Sequence, residues 1–250
     1  MRPINRRTSP QTQDFGNYRE AFVELQSRLG PYCSYCERRV AAPLAVEHIQ
    51  PKGLAQYAHL IGTWSNFLLA CVNCNGTKSD QNVILSEIFL PDRDNTGAAF
   101  MYSMDGKVSP SPRLDPAQRQ IAIDTLTLTG LDKGPNQALD ENGKLVAIDR
   151  ITQRMEIWLI ARDSKEDLLA TPTPAMRRQI VRTAQGHGFF SIWMEVFSDD
   201  VAMRLLFIRG FTKNGKFFGF PGTAWEDCYD ANSNLIVPRP HNGLTDAGKI

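Results

Sequence analysis

Cys33-Ser34-Tyr35-Cys36 and Cys71-Val72-Asn73-Cys74 bracket 34 residues, and the reading of that bracket decides the fold. Each pair sets two thiols at the spacing where a tight knuckle turns both sulfurs toward one ion, and two such pairs complete a tetrahedral site. A redox Cys-x-x-Cys occurs as a single pair in a thioredoxin-like context, so two pairs around an insert point to Zn2+. With thiolates in all four positions no site is open to water or substrate, and such an ion holds structure. The insert exceeds the roughly 15–20 residues of simple zinc ribbons. It must fold as a unit of its own, and it reads as knuckle, strand (Ala45–Ile49), long loop, strand (Phe67–Val72) and knuckle, with a helix from near Asn75. The fifth cysteine, Cys228, reads as a small buried hydrophobe.

Inside the bracket the chain runs Val46-Glu47-His48-Ile49-Gln50-Pro51-Lys52 and then Trp64-Ser65-Asn66-Phe67-Leu68-Leu69. The second knuckle continues into Asn75-Gly76-Thr77-Lys78-Ser79-Asp80. These stretches resemble the HNH, or ββα-metal, nucleases of the zinc-stapled branch. That family has an acidic residue before a base histidine at a strand end, a central Asn and a final Asn or His that opens a helix; here His48, Asn66 and Asn75 stand 18 and then nine residues apart. The resemblance covers about 50 residues and implies an endonuclease that hydrolyses DNA phosphodiesters. It assigns His48 as general base, Glu47 and Asn75 as ligands of a catalytic metal, and Asn66 as the residue that fixes the loop carrying the base. The Glu and Asn replace histidines of the His-rich motif, and an all-oxygen set suits Mg2+ or Mn2+. Two different metals are therefore expected. Lys78, one helical turn after Asn75, and Lys52 are placed to neutralise phosphates flanking the scissile one. His59 has no counterpart in the motif, and Trp64 reads as core.

Composition adds bounds. The 250 residues carry 28 Lys and Arg against 27 Asp and Glu, a net +1, so bulk charge neither proposes nor excludes a polyanionic partner. The basic N-terminus has no apolar run behind it and no window approaches the ~18 apolar residues of a membrane span, which points to a cytoplasmic protein. The organisation expected is α+β: an N-terminal tail and helix (1–30), the nuclease module (31–89), a turn-rich connector (90–116), a mainly helical region (117–240) and a loose tail (241–250). Helical patterns cover Asn17–Leu29, Pro116–Thr129, Ala147–Ala161, Pro174–Gln185, Phe189–Phe197 and Val201–Ile208. Arg177, Arg178 and Arg182 read as a solvated helix face, His187 as a loop residue, and the aromatic runs at 189–194 and 217–222 as core.

A closer resemblance, carried by the first 80 residues, is to HNH proteins encoded beside an ATPase in bacterial anti-phage systems, notably the nuclease subunit of Septu. It implies an ATPase partner that controls cleavage. Two other readings remain open at this level: a non-catalytic zinc-dependent module that binds nucleic acid or protein, and a restriction-like nuclease that works alone.

Overall fold

A strand with every side chain buried must be covered on both faces, and β2 (Phe67–Ala70) is such a strand. It pairs antiparallel with β1 (Ala45–His48), Ala45 opposite Ala70 and His48 opposite Phe67. The computed structural model describes residues 1–41, 44–134 and 150–250. α1 (Ala21–Leu29), whose Ala21, Leu25 and Leu29 share one face, packs against β2. After β2 the chain enters α2 (Val72–Lys78) directly, with Cys71 as its N-cap. The helix thus begins three residues before the expected Asn75, and the strand ends at Ala70 instead of Val72. The physical reason is the second knuckle, which is itself the first helical turn: the Asn75 amide closes onto the Cys71 carbonyl at 2.9 Å.

Beyond this ββα unit follow α3 (Thr96–Ala99), the hairpin β3 (Phe100–Tyr102) and β4 (Val108–Pro110), and α4 (Pro116–Thr129). α4 opens with a capping box between Asp115 and Gln118, has Pro116 in its first turn, and stops at Gly130 with φ +62. A Cβ on Gly130 would lie 2.9 Å from Thr77 Cγ2, so glycine there lets α4 end against α2. The later region holds α5 (Arg150–Ala170), α6 (Pro174–His187), α7 (Phe190–Val196) and α8 (Val201–Arg209). α5 runs nine residues past the expected Ala161; its expected start at Ala147 lies outside the described residues. Phe190, Trp193, Phe197 and Phe207 are buried here, and the last three stack and tilt on one another.

The region is not purely helical. β5 (Phe211–Lys213) and β6 (Lys216–Phe218) form a hairpin about Asn214-Gly215, both at positive φ, a turn signal that the sequence carries and helical periodicity obscures. It precedes α9 (Trp225–Cys228), where Cys228 is fully buried and burial pushes its thiol up to about 12. Arg177 pairs with Asp200 at 2.8 Å, and Arg182 lies 4.7 Å from the Phe218 ring centroid, so both are committed within the fold.

Three segments expected to be peripheral are built into the interior. Met1–Ile4 is buried: Ile4 hydrogen-bonds Pro91 and bridges to Thr223, and Arg2 donates to Pro221 O, Thr223 and Leu29 O. The segment 90–116 is not a surface linker, because Pro91–Thr96 is buried and Asn95 Nδ2 holds the Cys228 and Ile236 carbonyls. The end of the chain is docked: Lys249 pairs with Asp94, and the Ile250 carbonyl accepts from Asn95 and Arg239. Among the described residues no helix is long and apolar enough to cross a membrane.

Candidate active site and metal centre

The four knuckle cysteines are buried, and their Sγ atoms lie within 4.8 Å of one another, with Cys36 to Cys71 at 3.8 Å. Four sulfurs at the ~2.3 Å Zn–S bond length in a tetrahedron stand ~3.8 Å apart, so the cluster fits Zn2+. Burial pushes the Cys33 thiol well above its ordinary value, and a bound divalent cation is what would hold four thiolates in this interior. The first knuckle is shaped by Glu37 at φ +64, with the Glu37 amide on Cys33 O and the Cys33 amide on Arg38 O. Two arginines face the sulfurs. Arg150 Nη1 stands 3.5 Å from Cys74 Sγ, and for Arg38 the charge of Cys36 and Cys71 outweighs burial and raises its pKa. They offset the −2 charge that four thiolates and Zn2+ would create and tie the start of α5 to the knuckles. Glu37 anchors the first knuckle to α7: it accepts from the Ser191 amide and hydroxyl and pairs with the Met1 ammonium. Burial opposes its charge, but the ammonium and Ser191 hold it below the usual carboxylate value.

His48 ends β1 with its ring in the wall of a cavity of about 490 Å3 that Glu47, Lys52, Asn75 and Lys78 also line. Its Nε2 lies 3.0 Å from the Ile61 carbonyl, which can only accept; Nε2 therefore carries the proton and Nδ1 keeps a lone pair. The rings of Tyr18 and Phe67 meet it edge-on at 4.8 and 5.2 Å. Burial lowers its pKa, against the Ile61 bond, so the imidazole is neutral at pH 7.

Asn66 is buried and clamps the residue two past His48 from both sides. Its Oδ1 accepts from Gln50 N at 2.8 Å and its Nδ2 donates to Gln50 O at 3.0 Å, while the Ile49 amide donates to Asn66 O. Asn66→Ala leaves two Gln50 backbone groups without these partners, and unfolding should become easier by about 1–3 kcal/mol. Chemical denaturation of the two proteins checks this; equal midpoints would remove the clamp from the account.

Glu47 and Lys78 form a buried ion pair, Nζ to Oε1 at 2.9 Å, each side chain 2% exposed. The ammonium also donates to His48 O at 2.8 Å. Lys78, expected at a flanking phosphate, is thus held inside by the carboxylate. Burial raises the pKa of Glu47, against the pull of Lys78. The Oε1 contact is close but lacks hydrogen-bond alignment, which leaves a buried carboxylate oxygen without a hydrogen bond. Asn75, on α2, makes no side-chain hydrogen bond among the described residues. A buried, under-coordinated carboxylate and a free carboxamide in one wall fit a divalent cation bound through oxygen. Lys78→Met would leave the Glu47 charge unpaired, at an expected cost of about 3–5 kcal/mol. Adding Mn2+ should recover part of that loss in thermal melts, and a variant as stable as the parent without metal would contradict the pairing.

The N-terminal helix supplies residues that the motif did not point to. Tyr18, in a 3₁₀ turn before α1, and Arg19 line the cavity, and Lys52 Nζ donates to the Tyr18 hydroxyl at 2.7 Å. That bond lowers the Tyr18 pKa despite some burial. Lys52 is exposed at the cavity rim and also lies 4.3 Å from the Tyr18 ring centroid. His59 is exposed and away from the cleft lining, and Trp64 is buried, stacked on Phe15 with its indole N–H on Arg7 O.

No curated protein matches the chain. Residues 33–81 match the family model of the HNH endonucleases, so that the ββα unit closed by the four-cysteine cluster is an HNH endonuclease domain.

Proposed function

We propose that the chain is a metal-dependent endonuclease that hydrolyses DNA phosphodiesters. The observation that carries this reading is His48: its Nε2 proton is engaged by Ile61 O, which leaves a neutral Nδ1 in the same cavity wall as Glu47 and Asn75. Nδ1 takes a proton from water as that oxygen bonds to phosphorus. The P–O3′ bond then breaks, the 3′ oxygen picks up a proton from solvent, and the products carry a 5′-phosphate and a 3′-hydroxyl. Glu47 and Asn75 would hold Mg2+ or Mn2+, which supplies charge neutralisation at the phosphate and stabilises the departing oxygen. Asn66 keeps the loop after His48 in place, and Lys52 at the rim meets a neighbouring phosphate.

The test is nicking of supercoiled plasmid by the purified chain with Mg2+ or Mn2+ against an EDTA control. Metal-dependent nicking is the expected result; nicking that survives EDTA would overturn it. The resemblance to HNH proteins encoded beside an ATPase supports the further reading of a cytoplasmic anti-phage nuclease that works with an ATPase partner. Co-expression with an ATPase of such a system should then yield a complex that cuts faster than the chain alone, and equal rates would count against that partnership.

The pH dependence follows from the neutral imidazole. Cleavage requires His48 without a second proton, and burial disfavours that proton. Activity should therefore persist as pH falls to the ordinary histidine value and be lost only below it. Initial nicking rates across mildly acidic pH check this, and an acid midpoint at or above the ordinary value would assign the limb to another group.

A further inference from the structure

Away from the nuclease cleft, a second cavity of about 590 Å3 lies between β3, the turn after β4, α7, α8 and the segment around Tyr229. It shares no lining residue with the cleft around His48. Two polar groups in its wall lack partners. The side chain of Arg204, half-buried on α8, makes no hydrogen bond or ion pair with any described residue, and its Nε is shut off from solvent. Tyr229 is buried, yet its hydroxyl makes no hydrogen bond among the described residues. At the rim the exposed Arg113 side chain is also unpaired.

The Nε of Arg204, shut off from water, is costly to leave without an acceptor, and an unsatisfied buried polar group in a folded protein calls for a ligand, an ion or a function. Burial lowers the Arg204 pKa; Tyr229, Glu195 and Asp230 favour its charge from a distance and Arg113 opposes it. Two arginines that repel each other across a cavity, with a phenol between acceptor and donor roles, suit a dianion that takes several hydrogen bonds at once. The space is far larger than an inorganic anion needs, falls in the range of organic-ligand sites, and has Phe100 and Phe190 in its walls.

We infer that this cavity binds a phosphate monoester of nucleotide size, its phosphate held by Arg204, Arg113 and the Tyr229 hydroxyl and its ring system against Phe100 and Phe190. Glu195, in the same wall, accepts from an amino or hydroxyl group of the ligand. The site is independent of the nuclease chemistry and uses none of its residues.

Isothermal titration of the full chain with AMP, GMP, CMP and UMP as probes tests this, repeated for Arg204→Gln, Arg113→Gln and His48→Ala. The expected result is one-to-one binding of at least one of the four. Each arginine variant should weaken it at least about ten-fold, and His48→Ala should leave it unchanged. Arg113 is exposed, so its variant keeps the fold, and thermal melts of the Arg204 variant separate lost binding from lost structure. The inference is overturned if none of the four binds, if binding is unchanged in either arginine variant, or if it disappears in His48→Ala.

Discussion

Alanine at His48 is expected to slow metal-dependent nicking by about 10²–10⁴-fold, the range that a positioned general base contributes. The substitution removes the Nδ1 lone pair without touching Glu47, Asn75 or the sulfurs, because the His48 ring contacts Tyr18, Phe67 and Ile61 O. Zinc content and circular dichroism should therefore match the parent. That combination separates a nuclease from a zinc-dependent binding module, which would have no activity to lose. A variant that nicks DNA at the parent rate, with the same metal requirement, would remove His48 from the mechanism.

Serine at both Cys36 and Cys71 should have the largest effect on structure. These sulfurs come from different knuckles and sit 3.8 Å apart, so the pair of substitutions removes half of the four-thiolate set, one ligand from each end of the insert. Structural Zn2+ contributes on the order of 10 kcal/mol of folding free energy where it closes a small unit. That is comparable to the whole stability of a typical domain, about 5–15 kcal/mol. The double variant should lose zinc, lose near-UV ellipticity and become protease-sensitive between residues 33 and 81. Protection should weaken beyond the domain as well, because Arg150 on α5 rests on Cys74 and Glu37 holds α7. Cooperative melting at the parent temperature without zinc would show that the apolar packing of β2 on α1 suffices.

Much of the domain was legible because its chemistry is local. A Cys-x-x-Cys knuckle is defined by two residues of separation, and β1 and β2 are short runs whose ends are marked by Glu47-His48 and by the second knuckle. The exact helix start was not legible, since Cys71-Val72-Asn73-Cys74 serves at once as knuckle and as first helical turn. Lys78 shows a different limit. A lysine one turn after a proposed metal ligand reads as a solvent-facing phosphate contact, and only its placement opposite a buried carboxylate makes it an internal ion-pair partner.

The segments misjudged as peripheral fail for a common reason. Met1–Ile4, Pro91–Thr96 and Lys249–Ile250 are short, mixed in polarity and without periodicity, so nothing in their own sequence marks burial. Some of their polar groups find partners far along the chain: Arg2 donates to Pro221 and Thr223, and Asn95 Nδ2 to Cys228 and Ile236.

By itself, the sequence determined the four-cysteine cluster and the order of the ββα elements, and it put forward Glu47, His48, Asn66 and Asn75 as candidates, because these depend on residue type at fixed short spacings. Only the tertiary structure decided which His48 nitrogen is free, that Tyr18 and Arg19 wall the cleft, that Lys78 is held by Glu47, and that Arg204, Arg113 and Tyr229 meet at a second cavity. Each of these is a contact between single residues distant in the chain, and such contacts are set by how elements pack, which no local spacing encodes.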